Sequence, residues 1–155
     1  MSILLTCSAG GHLSEMRQLD FFYTHYAHFF VTFERADSIS LKKSERVYFI
    51  ERPARNPLLF LKALWQAWKI ISLEKPELII STGADVTVPV CLVGKLHHIP
   101  IVLIESFCRP YLPSKSAWIV SKFADHIIYQ WPQLKKFYER GIYGGNIFAS
   151  QEIIP

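Results

Sequence analysis

The residues best suited to chemistry come early. "CSAGGHLSEM", residues 7–16, follows the apolar run "SILLT" directly. A strand ends, two glycines turn the chain, and a helix opens at His12. Glycines let the backbone approach a ligand with no Cβ in the way. The free N–H groups at a helix start suit a phosphate or a sugar hydroxyl. An imidazole gains and loses a proton near neutral pH, so His12 is a candidate general base. The motif is neither GxGxxG nor GxxxxGK[ST], which gives dinucleotide and P-loop readings little support. Taken alone, the turn is as well explained as a tight turn with a capping histidine.

Three further segments carry polar chemistry: "STGADVT" (81–87), "ESFCRPYLPS" (105–114) and "QWPQ" (130–133). Glu105 rivals His12 as the base; it also fits an acid that orients sugar hydroxyls, or a buried acid that caps a neighbouring loop. Arg109 can hold a phosphate through two parallel hydrogen bonds or form an ordinary loop salt bridge. Asp85 is placed to cap the helix after it. His97 and His98 are adjacent, do not share a helical face, and read as polar residues at a helix end. No metal site and no cofactor is expected. Three cysteines without a CxxC pair fit a reduced, cytosolic chain.

The elements that position these residues alternate. Strands are expected at "SILLTC", "HFFVTF", "RVYFIE", "ELIIST", "PIVLIE" and "DHIIYQ". Helices are expected at "HLSEMRQLDFFYTHY" (12–26), from Pro57 to a stop at Pro76, at "VPVCLVGKLHH", and at "KSAWIVSKFA". The strands are continuous apolar runs, as in sheets covered on both faces. The fold class is therefore α/β, a Rossmann-like, doubly wound parallel sheet, in one domain over residues 1–155. Ligands in such sheets bind beyond the carboxyl ends of the strands, where the segments above lie. The tail from 140 onward reads as a new turn and strand, directed toward a partner or a second domain.

Charge is concentrated. Residues 42–75 hold eight basic and three acidic residues, and the rest of the chain nine basic and ten acidic. Such a patch points to an anionic partner or is simply a solvated face. Within it, the helix from Pro57 has one narrow polar stripe, Lys62, Gln66 and Lys69. Leu58, Leu61, Trp65 and Trp68 belong to its broad apolar surface. Excess apolar surface with tryptophans and flanking lysines suits a helix lying in a membrane interface. Burial against a partner subunit is the alternative. No secretory leader and no spanning helix is expected. A nucleic-acid-binding module would use the basic patch, but no recognised motif accompanies it. A self-sufficient nucleotide-binding enzyme would use Glu34 after the second strand as its ribose acid, yet lacks the third glycine.

"SAGGHLSEMRQL", "IISTGADVTVPVCLVGKL", "IPIVLIESFCR", "ADHIIYQW" and "YGGNIF" occur in the order and spacing of one family. The chain resembles the acceptor-side subunit of two-part glycosyltransferases. That group includes the membrane-anchoring subunit of the dolichol-linked N-acetylglucosaminyltransferase and bacterial exopolysaccharide and capsule counterparts. The chain is also similar to the amino-terminal half of the glycosyltransferase that forms lipid II. The resemblance implies the amino-terminal half of a GT-B fold, with nucleotide-sugar bound by a separate donor subunit. It implies a polyprenyl-diphosphate-linked sugar acceptor near Gly10, Gly11, Ser14, Thr82 and Gly83, with Asp85, Ser106 and Arg109 beside it. His12 or Glu105 would be the base. It also implies membrane contact through the Pro57 helix, on the cytoplasmic face of the plasma membrane, and no nucleic acid. Eukaryotic members carry an amino-terminal membrane helix, whereas this sequence opens at its first strand; the bacterial exopolysaccharide branch is therefore expected. The family pattern has a small residue after "STGA", where this chain has Asp85.

Overall fold

The computed structural model describes residues 1–149. Its centre is strand β1 (Ser2–Cys7), which pairs in parallel with β2 (Ala27–Thr32) on one side and β4 (Leu78–Gly83) on the other. Adding β3 (Val47–Phe49), β5 (Ile101–Ile104), β6 (His126–Tyr129) and β7 (Ile142–Tyr143) gives a seven-stranded parallel sheet. Its order is β3-β2-β1-β4-β5-β6-β7.

Alternation along the strands divides the core in two. Leu4, Phe29, Val31, Ile79, Ile101 and Leu103 face one side. There they meet Ala63, Ala67 and Ile71 of α4 (Pro57–Glu74), Val90 and Cys91 of α5 (Thr87–Leu96), and Ala117 and Val120 of α6 (Lys115–Val120). Ile3, Leu5, Cys7, Phe30, Ile80 and Ile104 face the other side. They meet Leu13 and Met16 of α1 (Gly11–Arg17), Tyr23 of α2 (Asp20–Tyr23) and Leu41 of α3 (Ala36–Leu41). Continuous apolar strands are thus buried on both faces, and the expected doubly wound architecture is present. Burial pushes the Cys91 thiol up to about 12 and the Cys7 thiol higher still, so both are inert core groups.

Helix α4 is built as its sequence requires. The Asn56 side chain accepts from Leu58 N–H at 2.9 Å, Pro57 occupies the first turn, and Lys75 ends the helix with φ +47°. Its buried stripe is small residues, Ala63 and Ala67, continued by Ile71. A narrow stripe of that kind leaves most of the helix circumference outside.

The helices differ from expectation at two places. The helix over 12–26 is broken: α1 ends at Arg17, and i→i+3 bonds from Gln18 and Leu19 N–H turn the chain before α2. The break re-aims Tyr23 into the core, edge-on to Phe30. Helix α3 was not expected; its Ser38 is buried and bonds Phe33 and Arg35 carbonyls. The start of the tail is a turn and a strand, as expected. Ile142 and Tyr143 pair with Ile128 and Tyr129 as the sheet's last strand. Residues 150–155 of that tail lie outside the described residues.

Candidate active site

Strand order reverses between β1 and β4, so the loops leaving these two strands diverge and open a crevice. His12, in the first turn of α1, bridges it. Its Nδ1 lies 2.7 Å from the Thr82 carbonyl oxygen, and Thr82 Oγ1 donates to the His12 carbonyl at 2.9 Å. A carbonyl only accepts, so Nδ1 carries the hydrogen and Nε2 keeps the lone pair. Among the described residues nothing bonds Nε2. The half-buried ring is fixed in position with its basic nitrogen available.

Gly83 lies against this ring. Its φ is +99°, and a Cβ there would lie 3.5 Å from His12 Cε1. The next residue, Ala84, is held at φ +84°, a strained conformation for a residue with a Cβ. Gly10 has φ +90°, and its N–H donates to the Asp37 carboxylate at the head of α3. The first amide of the glycine turn is therefore not free for a ligand, as the sequence had suggested. Arg35 approaches the same turn, 3.9 Å from where a Gly10 Cβ would stand. Gly11 has open space beside it, and Ser14 lies exposed one turn on, its hydroxyl 3.4 Å from the Gly10 carbonyl.

Glu105 directly follows β5, at the carboxyl end of the strand. It is 1% exposed. Oε1 accepts from Ser106 N–H at 3.0 Å; Oε2 accepts from Ser114 N–H at 3.2 Å and from the Tyr138 hydroxyl. Burial and the adjacent Glu105 carboxylate push the Tyr138 phenol far above its ordinary range. Of the roles left open for Glu105, the loop-capping acid is the one its partners describe.

Glu15 was missed. It follows His12 by one helical turn and is 2% exposed. Its Oε1 accepts from the Ser106 hydroxyl and from Phe107 N–H, both at 2.9 Å, and Oε2 has no partner among the described residues. Burial raises its carboxyl pKa, with His12 and the Ser106 bond opposing. Two buried acids thus clamp the loop that carries Ser106 and Arg109. Arg109 is exposed and is not ion-paired among the described residues. Asp85 does bond Val86 N–H, but it also pairs with Arg52 at 3.1 Å and accepts from Ala54 N–H. It fastens the segment ahead of α4 and so is committed within the protein.

Outside this crevice, α4 exposes Leu58, Leu61, Trp65 and Trp68. Its polar stripe is partly internal. Lys62 pairs with Glu51 at 2.6 Å and Gln66 accepts from Glu51 N–H, whereas Lys69 Nζ sits 3.6 Å over the Trp65 ring. The basic patch is also reduced, since Arg46 pairs with Glu74 and Arg52 with Asp85. His97, at the end of α5, lies against Trp68 with the two rings tilted. Among the described residues no three His, Cys, Asp or Glu side chains are grouped to hold a metal ion. Among the described residues no helix is long and apolar enough to cross a membrane.

This sheet, with its crevice at the reversal point, is a Rossmann-like domain of the kind that forms one half of a GT-B fold. The solved structure of MurG from Acinetobacter baumannii superposes with a TM-score of 0.71 at 18% identity, covering 84% of this chain and 41% of that one. UDP-GlcNAc 2-epimerase from Neisseria meningitidis gives 0.74 at 13%, covering 94% and 46%. At such identities the likeness is one of fold. The family follows from sequence: residues 51–147 match the model described as "Oligosaccharide biosynthesis protein Alg14 like", and the chain belongs to that family. It is 28% identical to human "UDP-N-acetylglucosamine transferase subunit ALG14", covering 95% of this chain and 83% of the human one. It is 35% identical to the "UDP-N-acetylglucosamine--N-acetylmuramyl-(pentapeptide) pyrophosphoryl-undecaprenol N-acetylglucosamine transferase" of Geobacillus kaustophilus. That match covers 74% of this chain and 31% of the longer protein.

Proposed function

We propose that this chain is the acceptor-side subunit of a glycosyltransferase. It presents a polyprenyl-diphosphate-linked sugar to a separate donor-binding subunit, in exopolysaccharide or capsule synthesis. The observation that carries the reading is the bond between His12 Nδ1 and the Thr82 carbonyl, which leaves Nε2 as a poised base at the crevice. As the acceptor hydroxyl attacks the anomeric carbon of the donor, its proton passes to Nε2 and the nucleoside diphosphate leaves with the bonding electrons. Thr82 then stabilises the imidazolium through the same Nδ1–H bond. Arg109, with Arg35 across the crevice, supplies positive charge for the acceptor diphosphate. The relatives' names make UDP-N-acetylglucosamine the first donor to test.

The acceptor's tail stays in a bilayer, so the subunit works peripherally on the cytoplasmic face of the plasma membrane. The exposed Leu58, Leu61, Trp65 and Trp68 of α4, with Lys69, suit that contact.

The test is an assay with UDP-N-acetylglucosamine and a polyprenyl-diphosphate-sugar, with this chain alone and with a candidate donor subunit. Turnover is expected only with both. Turnover by this chain alone, or tight binding of the nucleotide-sugar to it, would overturn the reading in favour of a self-sufficient nucleotide-binding enzyme.

A further inference from the structure

A second apolar surface lies outside the crevice and outside α4. Leu112, Pro113, Lys115, Trp118, Ile119 and Phe137 line a groove of about 410 Å³. It runs between α6 and the short 3-10 helix Pro132–Lys136 that follows β6. Leu112 is 62% exposed and Trp118 49%, large values for side chains of this size. Nothing in the proposed transfer chemistry uses them.

The groove's rim identifies its occupant. Lys115 lines it, Lys122 Nζ lies 4.2 Å over the Trp118 ring, and Lys136 Nζ lies 5.0 Å over Phe137. Among the described residues none of these three lysines is ion-paired. Lys115 lines the groove itself, and apolar centres of protein–protein interfaces are depleted in lysine, so a protein partner fits the groove poorly. An anionic leaflet fits both parts. Ammonium groups reach headgroups while the aromatic rings and aliphatic stems lie in the acyl boundary. The pairing of Lys122 with Trp118 repeats that of Lys69 with Trp65 on α4. The two lysine–tryptophan pairs also belong to one layer. Helix α4 packs on α5 and α5 on α6, with exposed Leu96 at the end of α5.

We propose that the groove between α6 and the 3-10 helix is a second membrane-contact station, which takes acyl chains of an anionic leaflet while Lys115, Lys122 and Lys136 meet headgroups. The proposal rests on the membrane reading of α4 and adds what α4 alone does not supply. One helix on a surface leaves the protein free to rock about that helix. Two stations on one layer fix its tilt. Leu112 and Pro113 sit in the loop that Glu15 holds at Ser106 and Glu105 holds at both Ser106 and Ser114. Seating the groove therefore also sets the height of Ser106 and Arg109 above the bilayer.

The test is flotation with vesicles of phosphatidylcholine alone and of equal parts phosphatidylcholine and phosphatidylglycerol. Wild type, Trp65→Ser/Trp68→Ser, Trp118→Ser/Ile119→Ser and Lys115→Glu/Lys122→Glu/Lys136→Glu are compared after circular dichroism has confirmed folding. Wild type is expected to prefer the anionic vesicles. Each serine variant should lose about tenfold or more in partition, and the glutamate variant should lose the anionic preference. Hydrogen exchange of the wild-type chain on anionic vesicles gives a readout that needs no variant. Protection is expected over residues 111–119 and 136–137 together with 58–68. Protection of 58–68 alone, or α6 variants that bind as wild type while the α4 variant does not, overturns the second station and leaves the α4 reading standing. Wild-type protein bound to neither vesicle overturns both.

Discussion

The Ser106 hydroxyl donates to Glu15 at 2.9 Å across 91 positions of sequence. This bond joins the helix turn that carries His12 to the loop that carries Arg109. The acid making it is buried, its pKa raised first by desolvation, and one of its oxygens has no partner among the described residues. The folded protein therefore holds the Glu15 proton more tightly than the unfolded chain does, whose glutamates titrate near about 4.3. Between that value and the raised folded one, the native state binds more protons, so the Glu15 contribution to stability falls as pH rises. Glu15→Gln keeps an acceptor for Ser106 and Phe107 and removes the titration. Urea unfolding from about pH 4.5 upward should show the variant gaining on wild type as pH increases. A stability difference that stays constant, or that moves in favour of wild type as pH rises, would rule out a buried acid of raised pKa here. His12, Glu105 and Cys7 are the other titratable groups facing this carboxyl, so a double variant with His12→Ala checks that the slope belongs to Glu15.

His12→Ala should lower kcat of the reconstituted pair by about 10²–10⁴-fold, the usual size of a lost general base. Its melting temperature should change little, because the ring is half-buried and its removal leaves Thr82 within the sheet. His12→Gln tests the base itself: an amide can bond the Thr82 carbonyl but cannot take the proton. Near wild-type turnover by His12→Gln would remove the base assignment.

The two glycines beside this histidine separate strain from ligand approach. Gly83→Ala places a Cβ at φ +99° and against the His12 ring. It should cost about 1–3 kcal/mol through the backbone, read by urea unfolding, because the 3.5 Å contact with the ring is an ordinary one. Gly11→Ala meets no atom within 4 Å and no positive φ, so its stability should match wild type. If an acceptor approaches the backbone there, its KM should rise several-fold with kcat nearly unchanged. Unchanged KM would mean that no ligand group comes close to Gly11.

Much of the fold is legible from local pattern. Strand runs such as "SILLTC" and "PIVLIE" are buried on both faces and carry their signal in composition. The α4 boundaries are written in Asn56, Pro57 and Pro76. The break after Arg17 is not legible, because Leu13, Met16, Leu19 and Tyr23 keep helical spacing through it and only the core contact of Tyr23 selects the turn. The site divides in the same way. His12 and Gly83 are marked by their places at strand ends. Glu15 sits beside an apolar stripe and reads as a surface acid; its burial depends on a loop ninety-one positions later. The bond from Gly10 N–H to Asp37 spans a helix that has no apolar periodicity to announce it. One local clue to Glu15 existed: the site loop "ESFC" brings buried hydroxyl and amide donors that need an acceptor.

Glu105 separates a loop-holding acid from a catalytic one. Its carboxylate takes Ser106 N–H, Ser114 N–H and the Tyr138 hydroxyl, so it ties β5, the start of α6 and the segment before β7 together. Tyr138→Phe removes one donor and leaves the carboxylate buried with fewer bonds. It should cost about 1–3 kcal/mol without adding or removing a group at the crevice. Glu105→Gln keeps the shape but turns an acceptor toward a donor at one position, and should cost a similar amount. Hydrogen exchange over residues 105–114 should quicken in both. If Glu105 acts only by holding the loop, both variants lower turnover through a higher acceptor KM, and the pH profile of kcat keeps its shape. A Glu105→Gln variant that folds as stably as wild type, keeps its acceptor KM and still loses kcat by about 10²-fold or more would move the base from His12 to Glu105.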